Sequence, residues 1–267
     1  MKTLTIAEIG SCHDHNYNQA AELIAAAAKA GADYAKAQYW SSAKRLAERR
    51  KSGNYYEAIY EKYRVPEGWL PLMADQAKSH GIGFMATCYL PEDIAVVSHY
   101  VDHFKVASFE AADLRFIRAH YQYLQQQPSR RLIVSTGLQD AAMLKRLRIE
   151  RTALGSIRLL HCVSAYPASV ESLNLHQIRA ESLDGFSDHA AAGCLFSGAM
   201  ALASGASILE VHLRLQETDP QNPDAPHALL PEQLAEYIRN VRTAETMMGN
   251  HSRIENPAED AMRIYKV

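Results

Sequence analysis

Short runs of aliphatic and β-branched residues alternate along the chain with longer segments in which apolar residues recur at helical spacing. Eight of the short runs read as strands: Thr3–Ile9, Tyr34–Gln38, Gly83–Thr87, His103–Ala107, Arg131–Ser135, Ile157–Cys162, Leu183–Ser187 and Ser207–His212. Between them Asn18–Ala30, Pro66–Ser79, Pro91–His99, Asp113–Gln125, Gln139–Arg148 and Ala191–Ser204 read as helices, and Pro231–Met248 reads as a last helix after the eighth strand. The segment Ser169–Ala180 carries the weakest pattern. Pro66, Pro91 and Pro231 stand where helices begin, which suits proline because the first helical N–H groups have no intrahelical partner to lose. Alternating strands and helices imply a parallel sheet, and eight repeats imply closure into an α/β fold of the (β/α)8 TIM-barrel type. That barrel is expected to be a single domain over residues 1–250, with 251–267 as a C-terminal tail. An open doubly wound sheet would compete, but no Gly-x-Gly-x-x-Gly follows the first strand.

One stretch breaks the rhythm. Ser41–Val65 is long and polar, with Lys44, Arg45, Arg49, Arg50 and Lys51 beside Tyr55, Tyr56, Tyr60 and Tyr63. Long insertions after barrel strands line the active-site face, so the stretch is a candidate lid or partner surface. The expectation adopted for its charged residues is a solvated helical excursion.

Bulk composition changes the picture little. The chain has 267 residues, 48% hydrophobic and 22% charged, and a formal net charge of −2, so no general attraction to nucleic acid or to anionic membranes is expected. Four scattered cysteines, Cys12, Cys88, Cys162 and Cys194, without a CxxC pair fit reduced thiols in a cytoplasm. No apolar run approaches the roughly 20 residues of a membrane span, and the N-terminus leads straight into a strand pattern.

Barrel chemistry is delivered by the C-terminal ends of the strands. Strand one brings Glu8, then Gly10 and His13. Strand two carries Lys36 and Gln38, strand three ends at Thr87, strand four gives Lys105 and Ser108, and strand five ends in Ser135-Thr136-Gly137. Strand six gives His161, Ser164 and Tyr166, strand seven Ser187-Asp188-His189 and strand eight Glu210-Val211-His212. Side chains alternate faces, so Ser187 shares a face with His189, and Glu210 with His212. Two neutral imidazoles with an oxygen ligand suit a divalent first-row ion with positions left open, although two satisfied histidines would give the same letters. Lysine is rarely buried without a partner, so Lys36 and Lys105 need one. A bound anion held with the hydroxyls of Thr87, Ser108, Ser135 and Ser187 would supply it, and so would carboxylates such as Glu8 or Glu110.

Taken together, Ala7-Glu8-Ile9-Gly10, Gly31–Gln38, Phe104–Ser108, Ser135-Thr136-Gly137, His161–Pro167, Gly185–His189 and Glu210-Val211-His212 resemble the successive motifs of the sialic acid synthase family, the N-acetylneuraminate synthases and their relatives. The resemblance runs in order from about Ile6 to Met248. It implies a barrel that condenses phosphoenolpyruvate with an open-chain aldose, using a divalent metal, commonly Mn2+, with Mg2+ or Co2+ as substitutes. It also implies that His189 and His212 are metal ligands and that Glu8 and Glu210 lie close to metal and sugar. Phosphoenolpyruvate would lie against Lys36, Lys105, Thr87, Ser108, Ser135 and Ser187, with Ser164 nearby, while Tyr166 and Asp224 meet the sugar.

Four departures fall on the sugar side. Asn256-Pro257-Ala258-Glu259 resembles a linker into a C-terminal antifreeze-like domain, after which this chain soon ends, so that domain is expected to be absent, and with it the arginine that the domain gives to a partner subunit's sugar. Asn222-Pro223-Asp224-Ala225 replaces a Gly-Pro-Asp-His type run. Leu213-Arg214 replaces Phe-Thr, and Arg214 reads either as a stand-in arginine or as solvent-facing. Cys12 replaces an asparagine before His13. The expectation is a synthase of sialic-acid-like 2-keto-3-deoxy acids acting on N-acetylmannosamine or a related amino sugar, self-associating through the barrel. The alternatives are a changed acceptor that needs a separate antifreeze-like partner protein, and a non-catalytic scaffold.

Overall fold

The structure is a computed structural model that describes residues 2–249 and 257–266. Eight strands, β1 Leu4–Glu8, β2 Tyr34–Tyr39, β3 Gly83–Cys88, β4 His103–Val106, β5 Leu132–Ser135, β6 Ile157–Cys162, β7 Gly185–Asp188 and β8 Ile208–His212, pair in chain order into a closed barrel. Every neighbouring pair is parallel, and β8 closes on β1 with Leu4 opposite Ile208 and Glu8 opposite His212. The helices are α1 Tyr17–Ala30, α2 Ala43–Arg50, α3 Gly53–Lys62, α4 Trp69–Ser79, α5 Asp93–Val97, α6 Leu114–Ala119, α7 Tyr121–Gln126, α8 Ala141–Leu154, α9 His176–Ala180, α10 Ser197–Ala203 and α11 Pro231–Met248.

Burial on both faces explains why the strands read as nearly continuous apolar runs. Outward-facing residues such as Ala35, Phe84, Phe104, Val134 and Leu209 pack with helix residues including Leu23, Leu70, Ile117, Leu147 and Leu234 in the main core. Inward-facing Ile6, Met85, Ile133, Leu160 and Ile208 form a separate plug that fills the barrel floor. The strand period of two then places polar groups one layer higher: Ile6 is followed by Glu8, Tyr34 by Lys36, Met85 by Thr87, His103 by Lys105, Ile133 by Ser135, Gly185 by Ser187 and Ile208 by Glu210. The apolar plug is thus the platform on which the polar layer stands.

Several expected elements shift. Pro66 and Pro91 precede their helices by a turn, α4 and α5 opening at Trp69 and Asp93, whereas Pro231 does open α11. The expected helix 113–125 is two helices broken at His120. There the His120 Nδ1 bonds the Phe116 carbonyl at 3.0 Å, and the His120 backbone N–H turns to Ile117 instead at 3.2 Å. Asp113 caps the first of them through Phe116 N, and Asp140 caps α8 through Met143 N. The weak segment 169–180 is a single 3-10 turn, Val170–Ser172, and the five-residue α9. The two-part excursion at 41–65 folds as α2 and α3. Of the linker-like run, Asn256 lies outside the described residues, and Pro257–Tyr265 is a 3-10 helix. No described helix is long and apolar enough to cross a membrane.

His120 carries a stability prediction. It is fully buried between Phe104 and Phe116, with ring centroids at 5.2 and 5.1 Å, and burial pushes its pKa down to about 4. The unfolded chain takes up that proton near pH 6.5, so the stability from neutral His120 is present above pH 6.5 and is lost as pH falls towards 4. The shift corresponds to about 3 kcal/mol. His120→Leu should flatten the decline of the thermal midpoint between pH 6.5 and 4, and an unchanged slope contradicts the assignment.

Candidate active site

The charged layer at the C-terminal strand ends is fully buried and internally paired. Lys36 from β2 makes ion-pair contact with Glu8 from β1, donates to Thr87 Oγ1 at 2.8 Å, and stands 3.6 Å from Glu210 Oε2. Lys105 from β4 donates to Ser135 Oγ at 2.7 Å and to the Val106 carbonyl at 3.2 Å, and stands 3.6 Å from Glu210 Oε1. Glu210 therefore bridges the two lysines, and Ser187 donates to its Oε1 at 2.9 Å. Burial acts to raise the Glu210 pKa, but Lys105, Lys36 and the Ser187 hydroxyl together outweigh it and hold the carboxyl at about 2. Burial pushes the Lys36 ammonium down to about 8, against the pull of Glu210. The expected alternative partner Glu110 does not reach either lysine; it pairs with Arg50. Of the two carboxylates expected as partners for either lysine, Glu8 pairs with Lys36, and Glu210, not expected in that role, stands between both lysines.

A second cluster stands beside the first. Glu8 lies opposite both Lys36 and His212 in the strand register. His212 Nδ1 is 3.9 Å from Asp224 Oδ2, and His227 Nε2 is 3.8 Å from Asp224 Oδ1. One ligand atom from each of His212, Asp224 and His227 lies within 4.8 Å of the others. His189 stands at the edge of this group, its ring centroid 5.7 Å from His212 and 5.9 Å from His227, with Nδ1 held by the Val163 carbonyl at 2.7 Å. Burial lowers the pKa of all three imidazoles, His189 to about 4 and His212 well below its ordinary value, so they are neutral and able to ligate at pH 7. His227 was not among the residues expected at the site. It lies in the loop after β8, where no strand or helix period points to it, and its one sequence signal is the spacing of three from Asp224.

The remaining expected residues divide. Ser108 and Ser164 share a hydrogen bond of 2.8 Å at the rim, and the half-exposed Tyr166 ring lies 4.3 Å from His189. His161 turns away and bonds the Leu173 carbonyl through Nε2 at 2.7 Å, and His13 packs edge-on against Trp69. Gly10, at φ +47°, gives Asp224 its room: a Cβ there would lie 2.2 Å from Asp224 Oδ2. Arg214 bonds the Leu215 carbonyl and is not part of the cavity lining, so it supplies no arginine to the site.

The excursion is solvated in part: Lys44, Arg45 and Lys51 are exposed as expected, whereas Arg49 and Arg50 turn inward. Its Arg49 bonds Asp113 Oδ2 at 2.9 Å, and Arg50 bonds Glu110 Oε1 at 2.8 Å while lying over Tyr89 and Phe109. Trp40, Leu46, Tyr89 and Leu90 form a small core with Tyr60 under these helices. The result is a cavity of about 1030 Å³, floored by Glu8, Lys36, Lys105 and Glu210 and walled by Arg49, Arg50, Tyr56, Ile59 and Tyr60. Its size suits a small polar metabolite.

A closed parallel barrel with a paired, charged layer and a histidine cluster at one mouth marks the chain as a (β/α)8-barrel enzyme. Residues 23–253 match the NeuB family, and the chain belongs to it. It is 30% identical to an uncharacterized protein of Methanocaldococcus jannaschii, over 96% of this chain and 75% of that one. It is likewise 30% identical to a pseudaminic acid synthase of Campylobacter jejuni, over 93% of this chain and 76% of that one. The fold matches the crystal structure of an N-acetylneuraminic acid synthetase from Leptospira borgpetersenii with a TM-score of 0.88 at 23% identity, covering 99% of this chain and 91% of that one. At the level of the family, the chain is a sugar-acid synthase.

Proposed function

We propose that this chain joins phosphoenolpyruvate to an open-chain amino sugar, giving a 2-keto-3-deoxy acid and phosphate. The observation that carries the reading is the pair of buried lysines on either side of Glu210 in the cavity floor, each also bonded to a strand-end hydroxyl. Lys36 and Lys105 bind the phosphate and carboxylate of phosphoenolpyruvate, and Thr87, Ser135, Ser108 and Ser164 orient them. The hydroxyls and glutamates hold both ammonium groups in place before substrate arrives. C3 of phosphoenolpyruvate attacks the aldehyde carbon, and positive charge grows at C2. Glu210, kept ionised by the lysines, stabilises that charge, and Glu8 guides a water to C2. The tetrahedral adduct then expels phosphate by C–O cleavage, leaving the keto group. Tyr166 and Asp224 meet the sugar. A divalent ion on His189 and His212, with Mn2+ as the first candidate, would supply Lewis-acid polarisation of the aldehyde carbonyl. The neutral, buried imidazoles and the unbonded His212 Nδ1 fit such an ion.

Two measurements test this. Phosphate release from phosphoenolpyruvate should require one sugar from a panel of N-acetylmannosamine, 6-deoxy diamino hexoses and unsubstituted aldoses. Release with none of them, alone or with a separate antifreeze-like protein added, would leave a non-catalytic barrel. Lys36 also sets a pH dependence. Its charged form prevails below about pH 8 and is lost above, so kcat/KM for phosphoenolpyruvate should be level up to about pH 8 and decline beyond it. A rise between pH 8 and 9 would contradict the role given to Lys36.

A further inference from the structure

We infer that His227 and Asp224 extend the divalent-ion site of His189 and His212, adding a third imidazole and a carboxylate to it. The argument begins with what these groups lack. His227 is wholly buried, yet among the described residues neither ring nitrogen has a hydrogen-bond partner, and His212 Nδ1 has none either. A buried imidazole nitrogen left unbonded is costly and uncommon, so two neighbouring rings in that state point to something they are built to hold. Their separations from Asp224, 3.9 and 3.8 Å, are too long for hydrogen bonds but shorter than twice a metal–ligand bond of about 2.1 Å.

The carboxylate is aimed. Ser11 donates to Asp224 Oδ2 through its backbone N–H at 2.7 Å and its hydroxyl at 2.8 Å, which fixes the plane of the group. Asn222 ties the same loop to the loop after β1 by donating to the Ser11 carbonyl at 2.8 Å and to Asp14 Oδ1 at 2.7 Å. Hydrogen bonds of this kind orient metal-ligating carboxylates. Gly10 leaves the space that the Asp224 carboxylate and His212 Nδ1 occupy, since a Cβ there would lie 2.2 and 3.4 Å from them. Neutral imidazole donors favour the later first-row ions, so affinity should rise from Mn2+ to Co2+.

This deepens the proposed reaction site but does not depend on the reaction, because ion binding is measured without substrate. The test is titration of the whole chain with Co2+, following its visible absorption, in the wild-type protein and in His227→Gln, His227→Ala, Asp224→Asn and the distant exposed His80→Ala. The inference predicts that both His227 variants, with wild-type far-UV circular dichroism, weaken Co2+ binding by at least ten- to a hundredfold and change the absorption envelope, that Asp224→Asn weakens it similarly, and that His80→Ala has no effect. Wild-type Co2+ affinity and spectrum in a folded His227→Gln protein overturn it. Tight Co2+ binding through His227 in a chain that releases no phosphate would leave this inference standing and defeat the proposed reaction.

Discussion

Lys105→Met should lower kcat/KM for phosphoenolpyruvate by about a thousandfold while leaving the barrel folded. Lys105 is buried, and its ammonium group donates to Ser135 and the Val106 carbonyl and stands 3.6 Å from Glu210. Truncating one partner of a buried hydrogen-bonded charge pair costs about 2–5 kcal/mol, or about one and a half to three and a half powers of ten at 1.4 kcal/mol each. The loss falls on binding and catalysis rather than on folding because Glu210 keeps Lys36 at 3.6 Å and Ser187 at 2.9 Å in the variant. Ser135→Ala, which removes one neutral donor–acceptor from the same ammonium, should cost about tenfold. Steady-state kinetics with phosphoenolpyruvate varied at saturating sugar separates the two, and equal losses in both variants would mean that Lys105 acts as a structural pair and not on substrate.

The second large effect is on the scaffold. Gly185→Ala should cost several kcal/mol and leave most of the protein insoluble. In β7, Gly185 pairs with Leu160 on one side and Ile208 on the other, and a Cβ there would lie 2.1 Å from the Ile208 carbonyl oxygen, 2.9 Å from its carbon and 2.7 Å from Leu160 Cδ2. Two of those atoms are strand backbone, so relief requires β8 to move. That strand carries Glu210 and His212 at its far end, which makes site geometry depend on this contact. Gly68→Ala is the control: Gly68 has ordinary φ and no atom within 4 Å of the added carbon. It should change stability by no more than about 0.5 kcal/mol. Urea unfolding of both variants checks the contrast, and a soluble Gly185→Ala protein within 1 kcal/mol of the wild type, on the scale of an ordinary surface substitution, would contradict the packing described.

Much of the barrel and of its polar layer could be read in the residues themselves because both obey the strand period. Lys36 and Lys105 interrupt apolar strands, where a charge has no reason to lie unless it faces a shared interior, and Glu8, Thr87, Ser135, Ser187 and Glu210 fall two residues beyond inward-facing positions. Features that depend on distant partners were not legible. Of the α2 charges, Arg49 and Arg50 read as solvated because their partners, Asp113 and Glu110, lie 64 and 60 residues away. The break at His120 arises from an imidazole competing with its own backbone N–H for the Phe116 carbonyl, and no local pattern signals that. His227 sits in an irregular loop, and only folding brings it to within 4.3 Å of the His212 ring.

The central claim is that the two lysines hold phosphoenolpyruvate for attack by its C3 and for phosphate loss through C–O cleavage. The most direct measurement uses phosphoenolpyruvate labelled with 18O in the oxygen that bridges carbon and phosphorus, incubated with a divalent ion and each acceptor sugar. The account predicts that phosphate appears only when a sugar acceptor is present and that it retains the bridging 18O. Phosphate formed without any sugar, or released with the 18O left in the keto acid, would mean hydrolysis or P–O transfer and would contradict the condensing role given to Lys36, Lys105 and Glu210.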